Sequence, residues 1–477
     1  MMENNTQLKE MIRSMVIDIL QGQKQEMASS QPIKQAPRGQ VEPGVFDTVD
    51  EAIQAAKAAQ ARFEDCTLAT REKVIADIRA AMRPRVQELA QKTVDETGMG
   101  RVADKVLKLN LTLNKTPGVE DLVTECETGD NGMTLYELSA YGVIGAITPS
   151  TNPAETLICN SIGMLAAGNA IFFSVHPGAK NLSRELVSEL NQVIAKSIGI
   201  ENLIVTLREP SIESAQEMML HPDVSLLVVT GGPGVVKQAL QSGKKVIGAG
   251  AGNPPAFVDE TADIKKAAQD IVLGASLDNN ILCIAEKSVV AMRQIEPQLV
   301  QEMVKAGCIL LENQQDIQRL VDLTVLPNGT PNKKFVGKNA SVILDAAHIP
   351  YNGDPRLIIM RAPKNHPFAV IEMLMPILPV VTVDSFDEGL DVCLMLEAGL
   401  HHTATMHSLN MERLNRMARK MKTSIFVKNG PSYAGLGFSG EGTTTFTIAT
   451  PTGESTTSAR CFARCRRCCL TTGFNIR

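Results

Sequence analysis

The sequence predicts an α/β protein built around parallel sheets. Short apolar runs recur along the chain, and helical stretches separate most of them. The apolar runs are too hydrophobic to leave one face in water, which is typical of parallel strands covered by helices on both sides. The chain has 477 residues, of which 44% are hydrophobic and 21% charged, so it can fill a large core.

Helices are expected first along the chain. Thr48 and Glu51 have the spacing of a capping box before the Ala-rich run 52–61, which predicts a helix start. A second helical stretch covers residues 70–97, and Pro84 is expected to kink or divide it.

Strands then alternate with helices. The predicted strands are residues 142–147, 170–175, 203–207, 226–229, 245–247 and 256–258. Residues 154–167 and 182–197 are two of the helical stretches between them, and the same alternation continues over 264–425. The Thr-rich tail, 443–477, predicts extended segments.

The charge balance argues against two classes of partner. Lys and Arg number 47 and Asp and Glu 52, which gives a net charge of −5. No general basic field is therefore expected for nucleic acid or an anionic membrane. No apolar stretch is long enough to predict a transmembrane helix, so we expect neither a nucleic acid nor a membrane as partner.

Ten cysteines are scattered through the chain, at 66, 126, 159, 283, 308, 393, 461, 465, 468 and 469. Disulfide-stapled secreted proteins are usually short chains that carry a signal peptide. The pattern here indicates a reducing, intracellular compartment.

The N-terminus predicts an amphipathic helix followed by a flexible linker. Apolar side chains recur at the helical period, at Leu8, Met11, Ile12, Met15, Val16, Ile19 and Leu20. Residues 21–43 are rich in Gln, Ser, Pro and Gly, as flexible tethers are. A single tethered helix cannot bury its own stripe, so we expect it to dock onto a partner. The alternative is that it folds back onto its own domain.

Six motifs in register carry a resemblance to a known family. They are ITPSTNP at 147–153, AAGN at 166–169, VTGG at 229–232, DNNILC at 278–283, EMLMP at 372–376, and HTA at 402–404 followed by HS at 407–408. Together they resemble the CoA-acylating branch of the aldehyde dehydrogenases, and most closely those of ethanolamine- and propanediol-utilising bacterial microcompartments. The resemblance implies a Rossmann-type cofactor domain, an α/β catalytic domain and a β-arm for oligomerisation.

The resemblance also implies domain boundaries. We expect an encapsulation helix at 1–22, a linker at 23–44, an NAD-binding domain at 45–255 with an arm segment near 120–140, a catalytic domain at 256–440, and the oligomerisation arm with the tail at 441–477.

Cys283 is the expected nucleophile. A thiolate can attack an aldehyde carbonyl, and hydride loss from the adduct leaves a thioester on the enzyme. The polar stretch 276–280 predicts a loop from which the thiol can be reached. The alternative is a buried structural cysteine, since Ile281, Leu282 and Ile284 flank it.

Asn152 matches the family's oxyanion-hole asparagine. An amide donor preorganised for the developing oxyanion contributes roughly 3 kcal/mol. The alternative is a turn residue, because the sequence Thr-Asn-Pro by itself favours a turn. The spacing Thr148-Pro-Ser-Thr-Asn152 is one residue longer than the Thr-Pro-x-Asn of ordinary aldehyde dehydrogenases.

The cofactor residues are assigned mainly through the resemblance. Gly231 and Gly232 follow a predicted strand and precede a helix, which would let backbone approach a pyrophosphate. The alternative is an ordinary strand-to-helix turn of an α/β protein. Glu372 matches the glutamate that binds the nicotinamide ribose.

The other cofactor residues bear on the choice of nucleotide. Thr148 and Pro149 are assigned to the same cofactor side. His176 stands where hydrolytic relatives carry a lysine that contacts the adenosine ribose. Loss of that cation disfavours the 2′-phosphate of NADP, so NAD is expected.

A missing glutamate indicates the acyl acceptor. Hydrolytic relatives carry Glu-Leu-Gly-Gly, whose glutamate activates water, whereas residues 247–253 here read IGAGAGN. Without that base the thioester should resist water, and coenzyme A is the expected acceptor. Gly250 is assigned to the cofactor side, although a tight loop is an equal alternative.

No metal site is expected. His401, His402 and His407 lack the spacing of a ligand set. The four tail cysteines show no CxxC…CxxC pairing, and one strand would not point them all the same way. Their expected role is packing in the arm.

The expected function is oxidation of a short aldehyde, of the propanal or acetaldehyde class, to its acyl-CoA with NAD. We expect it in a dimer or tetramer in the cytoplasm, inside a bacterial microcompartment whose shell or core proteins bind the N-terminal helix. The alternatives are a phosphorylating semialdehyde dehydrogenase and a non-catalytic, shell-associated scaffold.

Overall fold

Two parallel sheets, a three-stranded antiparallel sheet and a short hairpin organise residues 42–476, which a computed structural model describes. Residues 1–41 and Arg477 lie outside the described residues. The predicted N-terminal helix and nearly all of its linker therefore fall outside the part of the chain that the structure describes.

The strands are numbered along the chain. They are β1 Val45–Phe46, β2 Glu125–Gly129, β3 Gly132–Ala140, β4 Val143–Ile147, β5 Ala170–Ser174, β6 Ile204–Leu207, β7 Val224–Thr230, β8 Lys245–Ala249, β9 Pro255–Val258, β10 Ser288–Met292, β11 Cys308–Leu311, β12 Leu357–Arg361, β13 Ile377–Val383, β14 Thr403–His407, β15 Ile425–Lys428, β16 Ile448–Ala449, β17 Ser455–Thr456 and β18 Ala463–Thr471. The six predicted strands all form, with ends within two residues of those expected.

The helices alternate with these strands. They are α1 Val49–Glu64, α2 Leu68–Met82, α3 Val86–Thr97, α4 Val102–Lys115, α5 Pro153–Ala166, α6 Lys180–Ile198, α7 Ile212–Leu220, α8 Pro233–Leu240, α9 Ile264–Ser276, α10 Glu296–Lys305, α11 Gln314–Thr324, α12 Ala340–Ala346, α13 Pro367–Val370, α14 Phe386–Glu397 and α15 Met411–Met421.

Local sequence signals account for the first helices. The Thr48 side chain accepts a hydrogen bond from the Glu51 N–H at 3.3 Å and caps α1. Pro84 lies in a short 3-10 turn, Arg83–Arg85, that divides the predicted long helix into α2 and α3. Gly98 ends α3 in the left-handed region, with φ of 65°.

The first sheet has the order β1-β6-β5-β4-β7-β8 and is parallel throughout. From β4 the chain moves outward through β5 and β6, and then returns to the other side of β4 as β7. This reversal creates a crevice at the carboxyl ends of β4 and β7, where open α/β sheets bind their ligands.

The second sheet is also parallel and has the order β11-β12-β13-β10-β9-β14-β15. Each sheet has its own apolar core, in which Phe172 and Leu157 are buried in the first and Phe257 and Leu378 in the second. Residues 250–254 connect the carboxyl end of β8 to the amino end of β9, so the two sheets meet along these edges.

The three-stranded sheet joins the end of the described chain to its middle. β18 pairs antiparallel with β3, from Ala463 opposite Ala140 to Thr471 opposite Gly132, and β3 pairs with β2. Of the range 441–477 that was expected to be arm and tail, only Ala463–Thr471 join this sheet. Apolar residues before it pack instead on the first core and on the cluster around Cys283.

Candidate active site

The second sheet brings four residues together that are far apart in sequence. Its order places the amino ends of β13, β10, β9 and β14 side by side. Glu372 precedes β13, Cys283 precedes β10, Gly252 precedes β9, and His402 directly precedes β14. The topology therefore gathers these four at one edge.

Gly252 is the point at which the four residues meet. Its N–H donates a hydrogen bond to Glu372 Oε1 at 3.1 Å. A Cβ atom at Gly252 would lie 2.7 Å from His402 Cγ and 2.8 Å from the Cys283 carbonyl oxygen, too close for any other residue. The close approach of these groups requires glycine here.

The turn before Cys283 is braced by its own polar side chains. Asp278, Asn279 and Asn280 have φ of 50°, 55° and 65°, three consecutive left-handed residues. Asn279 Nδ2 donates to the Gly337 carbonyl at 2.9 Å, and Asn280 Nδ2 donates to the Ala275 carbonyl at 2.7 Å. All three side chains are buried. The expected polar loop exists, but its polarity faces inward and fixes the backbone.

Lys287 closes this turn from the other side. Its Nζ donates to the Asn280 carbonyl at 2.8 Å, to Asn280 Oδ1 at 2.7 Å and to the Leu282 carbonyl at 2.9 Å. Burial lowers the pKa of Lys287 to about 8, against the opposing effect of Glu372 and Cys283. Lys287 was not among the expected site residues, because a single lysine in sequence carries no sign of burial.

Cys283 is partly buried beside an apolar cluster that includes Leu111, Phe438 and Phe446. Burial and, to a lesser extent, the Glu372 carboxylate raise the pKa of its thiol to about 12, against the opposing effect of Lys287. The thiol is therefore protonated at neutral pH without cofactor, and attack on a carbonyl needs a base or a change in this environment.

Asn152 lies directly before α5 and is buried. Its Oδ1 accepts a hydrogen bond from Lys108 Nζ at 2.5 Å, and its Nδ2 donates to Thr151 Oγ1 at 3.2 Å. The side chain makes no capping bond to α5. Its contacts therefore exceed those of an ordinary turn residue.

Predicted cofactor residues line the crevice of the first sheet. Thr148 and Pro149 follow β4, and Gly231 and Gly232 follow the neighbouring β7 and precede α8. The space beside Gly232 is open, since a Cβ there would meet nothing within 4 Å. The buried Oγ1 of Thr148 has no hydrogen-bond partner. An open helix N-terminus and an unsatisfied hydroxyl fit a dinucleotide.

Two further residues that were predicted to bind the cofactor follow other strands of the same sheet. His176 follows β5, is exposed, and accepts a hydrogen bond from the Gly178 N–H on Nδ1 at 3.0 Å. Burial of part of the ring and nearby Lys333 lower its pKa. Gly250 follows β8, but a Cβ there would lie 3.1 Å from Pro451 Cγ, so its free side faces the tail rather than an open cradle.

Sequence reasoning missed His402. The ring is wholly buried, its Nδ1 lies 3.0 Å from Thr403 Oγ1, and its Nε2 has no partner. Burial, assisted by Lys287, lowers its pKa to about 4, so the imidazole is neutral at pH 7. With the proton on Nδ1, Nε2 is a free acceptor beside the nucleophile's loop. The signal in the sequence was its place in a family motif, but it was weighed only as a metal ligand.

A groove of about 570 Å³ lies between α4 and residues 437–441. Its lining is mixed, with the apolar Leu107, Leu111 and Phe438 beside polar side chains such as Asn110 and Lys115. Leu111 and Phe438 also belong to the apolar cluster beside Cys283.

Within residues 42–476, no group of three or more His, Cys, Asp or Glu side chains could hold a metal ion. All ten cysteines are free thiols, and Cys465, Cys468 and Cys469 are exposed on β18. Among the described helices, none has the length and apolar content to cross a bilayer.

Comparison with known proteins matches this geometry. The aldehyde dehydrogenase family model matches residues 19–450. Propanal dehydrogenase (CoA-propanoylating) of Salmonella typhimurium is 52% identical over 475 residues, 99% of this chain and 100% of that protein. The structure of Rhodopseudomonas palustris propionaldehyde dehydrogenase, with bound CoA and an acylated cysteine, has 48% identity and a TM-score of 0.90 over 92% of this chain and 100% of that chain.

A propionaldehyde dehydrogenase from the Clostridium phytofermentans fucose utilisation bacterial microcompartment is similar as well. It has 46% identity and a TM-score of 0.90, covering 91% of this chain and 100% of that chain. These matches confirm the predicted fold class and the resemblance read from the six motifs. The chain belongs to the aldehyde dehydrogenase family.

Proposed function

We propose that the protein oxidises a short aldehyde to its acyl-CoA with NAD and coenzyme A, with Cys283 as the nucleophile. The observation that carries the proposal is the contact between Gly252 and the Cys283 backbone. The segment that would present a water-activating glutamate is glycine-rich there and has no carboxylate. The relatives named for CoA-acylating activity support the same reading.

We propose that Cys283 is acylated at the amino edge of the second sheet. The Cys283 thiol gives up its proton to water, its sulfur forms a bond to the aldehyde carbon, and the carbonyl π electrons move to the oxygen. Asn152 Nδ2 and the Cys283 N–H are the proposed donors to that oxyanion. The nicotinamide supplies the acceptor for the hydride that leaves the same carbon, and a thioester on Cys283 results.

Discharge needs a thiol and a base. The CoA sulfur forms a bond to the thioester carbon, and the bond from that carbon to the Cys283 sulfur breaks. His402 is neutral at pH 7 and is the proposed acceptor of the CoA thiol proton. Because one thioester replaces another, the step needs no further oxidant.

The proposed cofactor residues are Thr148, Pro149, Gly231, Gly232, His176, Gly250 and Glu372. A pyrophosphate at the α8 N-terminus fits the open space at Gly232. The nicotinamide ribose hydroxyls would bind the half-buried Glu372 carboxylate, which accepts from the Gly252 N–H. His176 in place of a lysine favours NAD. Lys333, whose positive charge lowers the pKa of His176, would instead favour the 2′-phosphate of NADP. The ratio of kcat/KM for NAD to that for NADP tests which nucleotide is preferred.

A stopped-flow experiment tests the function. Propanal and NAD without CoA should give one NADH per site and then stall, and added CoA should start steady turnover. Cys283→Ala should abolish the burst. Steady turnover to free acid without CoA would contradict the proposal, because it would require water to discharge the thioester.

The same assay separates the rival functions. Phosphate in place of CoA would start turnover in a phosphorylating semialdehyde dehydrogenase. A non-catalytic scaffold would give no burst with any aldehyde. Propanal, acetaldehyde and lactaldehyde compared by kcat/KM would identify the preferred substrate.

The assembly is also a proposal. We propose a dimer or tetramer formed through β18 and the sheet it shares with β3 and β2. The division into residues 45–255, 256–440 and 441–477 and the docking of residues 1–22 onto microcompartment shell or core proteins belong to the same proposal. A relative from a bacterial microcompartment supports the location.

A further inference from the structure

Four charged side chains form a buried cluster behind Asn152. Lys105 and Lys108 come from α4, Glu155 from α5, and Asp278 from the turn before Cys283. Each has at most 1% of its side chain exposed. Burial of four ionisable groups is costly unless each is paired, and the reaction above uses none of them.

Lys108 lies at the centre of this cluster. Its Nζ is 2.5 Å from Asn152 Oδ1, 2.5 Å from Asp278 Oδ2 and 2.9 Å from Glu155 Oε1. The ammonium donates a hydrogen bond to Asn152 and forms ion pairs with two carboxylates. Burial alone would lower the pKa of Lys108, but Asp278 and Glu155 outweigh it and raise the pKa, so the ammonium stays charged.

The ammonium fixes the orientation of the Asn152 amide. Lysine can only donate, so the amide oxygen must face Lys108 and the NH₂ group must face away. One hydrogen of that group is directed to Thr151 Oγ1. The other is left to donate to a substrate oxygen.

Asp278 connects the same lysine to the nucleophile's turn. Its Oδ2 also pairs with Lys105 at 3.0 Å, and its Oδ1 accepts a hydrogen bond from the Arg101 N–H at 2.7 Å. Burial would raise the pKa of Asp278, but Lys108 and Lys105 outweigh it and hold the pKa low. A charged Asp278 therefore anchors the left-handed turn that leads to Cys283.

We propose that Lys108 is a positioning residue for the oxyanion hole. By binding Asn152 Oδ1 and Asp278 at once, it fixes the amide donor and the turn that carries Cys283 in one arrangement. It acts through Asn152 and does not touch the substrate. The role rests on the acylation chemistry proposed above.

Lys105 is a matched control. It is as buried as Lys108, lies one turn away on α4 and pairs with the same carboxylate, but it donates to the Thr151 carbonyl at 3.2 Å and not to Asn152. Removal of either lysine leaves Asp278 with one lysine partner. Only removal of Lys108 frees the Asn152 amide.

Single-turnover kinetics with propanal and NAD test the proposal in the full-length enzyme. Lys108→Met should slow the NADH burst by about 10²-fold, the loss typical of one oxyanion donor, and Lys105→Met by no more than about 3-fold. In the Asn152→Ala background, Lys108→Met should cost less than about 3-fold more, because the two act as one unit. Alkylation of Cys283 by iodoacetamide forms no oxyanion and should be unchanged in Lys108→Met.

Several results would overturn the role of Lys108. One is an equal slowing of the NADH burst in Lys108→Met and Lys105→Met, and another is an additive slowing when Lys108→Met is combined with Asn152→Ala. A third is a parallel fall in the rate of Cys283 alkylation. Each would indicate a structural role only. If Lys108→Met does not fold, Lys108→Met with Glu155→Gln restores the charge balance, leaves Asp278 in place, and should show the same slow burst with normal alkylation. A wild-type enzyme without a burst would refute the function itself, whereas a normal burst in Lys108→Met would refute only this inference.

Discussion

At Cys283 the resting environment opposes the chemistry proposed for its sulfur. The apolar cluster and Glu372 both raise the pKa of the thiol, and among the charged groups acting on it only Lys287 lowers it. A protonated thiol is a poor target for oxidants as well as a poor nucleophile. The surroundings therefore keep the sulfur unreactive until substrate and cofactor are present.

The pH dependence of alkylation checks this state. With a thiol pKa of about 12, the iodoacetamide rate at Cys283, followed by peptide mass spectrometry, should rise about tenfold per pH unit from pH 7 to 9 without a plateau. Glu372→Gln removes the carboxylate that raises the pKa and should speed alkylation about 3- to 10-fold. A plateau below pH 9 in the wild type would contradict the buried, protonated thiol.

His402→Gln should separate the two halves of the reaction. The burst without CoA should stay within about 3-fold of wild type, while CoA-dependent turnover should fall by about 10²-fold or more, the usual contribution of a general base. Cys283→Ala is the control that loses both. Loss of the burst in His402→Gln would assign the base to Cys283 rather than to CoA.

Residue identity alone could not predict which side chains hold Asn152 and the turn before Cys283 in place. Cys283 and Asn152 were predicted because they lie in motifs that resemble those of the aldehyde dehydrogenases. Lys108 lies on a helix among residues that read as ordinary, and its burial depends on Asn152, Glu155 and Asp278, which are 44 to 170 residues away. Only the folded chain brings the charges of both signs together.

Among the elements, strands with continuous apolar runs were predicted well, whereas the arm was not predictable from pattern. β4 and β5 are five-residue runs that are almost wholly buried. β18 is exposed from Arg464 onward and carries three arginines and three cysteines, so hydrophobic pattern gave only an extended segment there. Its partner, β3, was placed in an arm only through the family resemblance.

The β3–β18 pairing offers a test of the assembly. Gly132 has φ of 118°, and a Cβ there would collide with the Leu470 carbonyl oxygen. Gly132→Val should therefore open this end of the sheet and shift the protein toward monomer in size-exclusion chromatography with light scattering.

Gly129→Val is the matched control. It lies in the same sheet, at the other end of the β2–β3 turn, and a Cβ there meets nothing within 4 Å. Identical elution of the two variants would exclude this end of the sheet from the interface.

In the molecule as a whole, the proposed function uses the carboxyl edge of the first sheet for the cofactor and the amino edge of the second sheet for the reacting groups. Thr148 and Gly231 follow strands of the first sheet, and Cys283 and His402 precede strands of the second. The short connection 250–254 joins the two edges. Because Gly252 lies in this connection and in neither sheet, the hydrolytic glutamate can be absent from it without a change in either sheet.

The N-terminal segment should be separable from catalysis. The first described strand begins at Val45, so removal of residues 1–41 should leave the CoA-dependent kcat unchanged within about twofold and abolish association with microcompartments. In a fluorescent fusion of residues 1–44, Ile12→Glu on the apolar stripe should prevent association, while Lys9→Glu off the stripe should not. Equal association of both variants would contradict docking through the stripe.

The order in which the sheets are completed has a consequence for biosynthesis. During translation the last strand of the first sheet is complete once residue 249 is added, and the last strand of the second sheet once residue 428 is added. The β18 strand that pairs with β3 is complete only at residue 471. β3 and β18 can therefore pair only after both parallel sheets have been synthesised. A chain that stops before residue 463 lacks β18, so its β3 would pair with β2 alone.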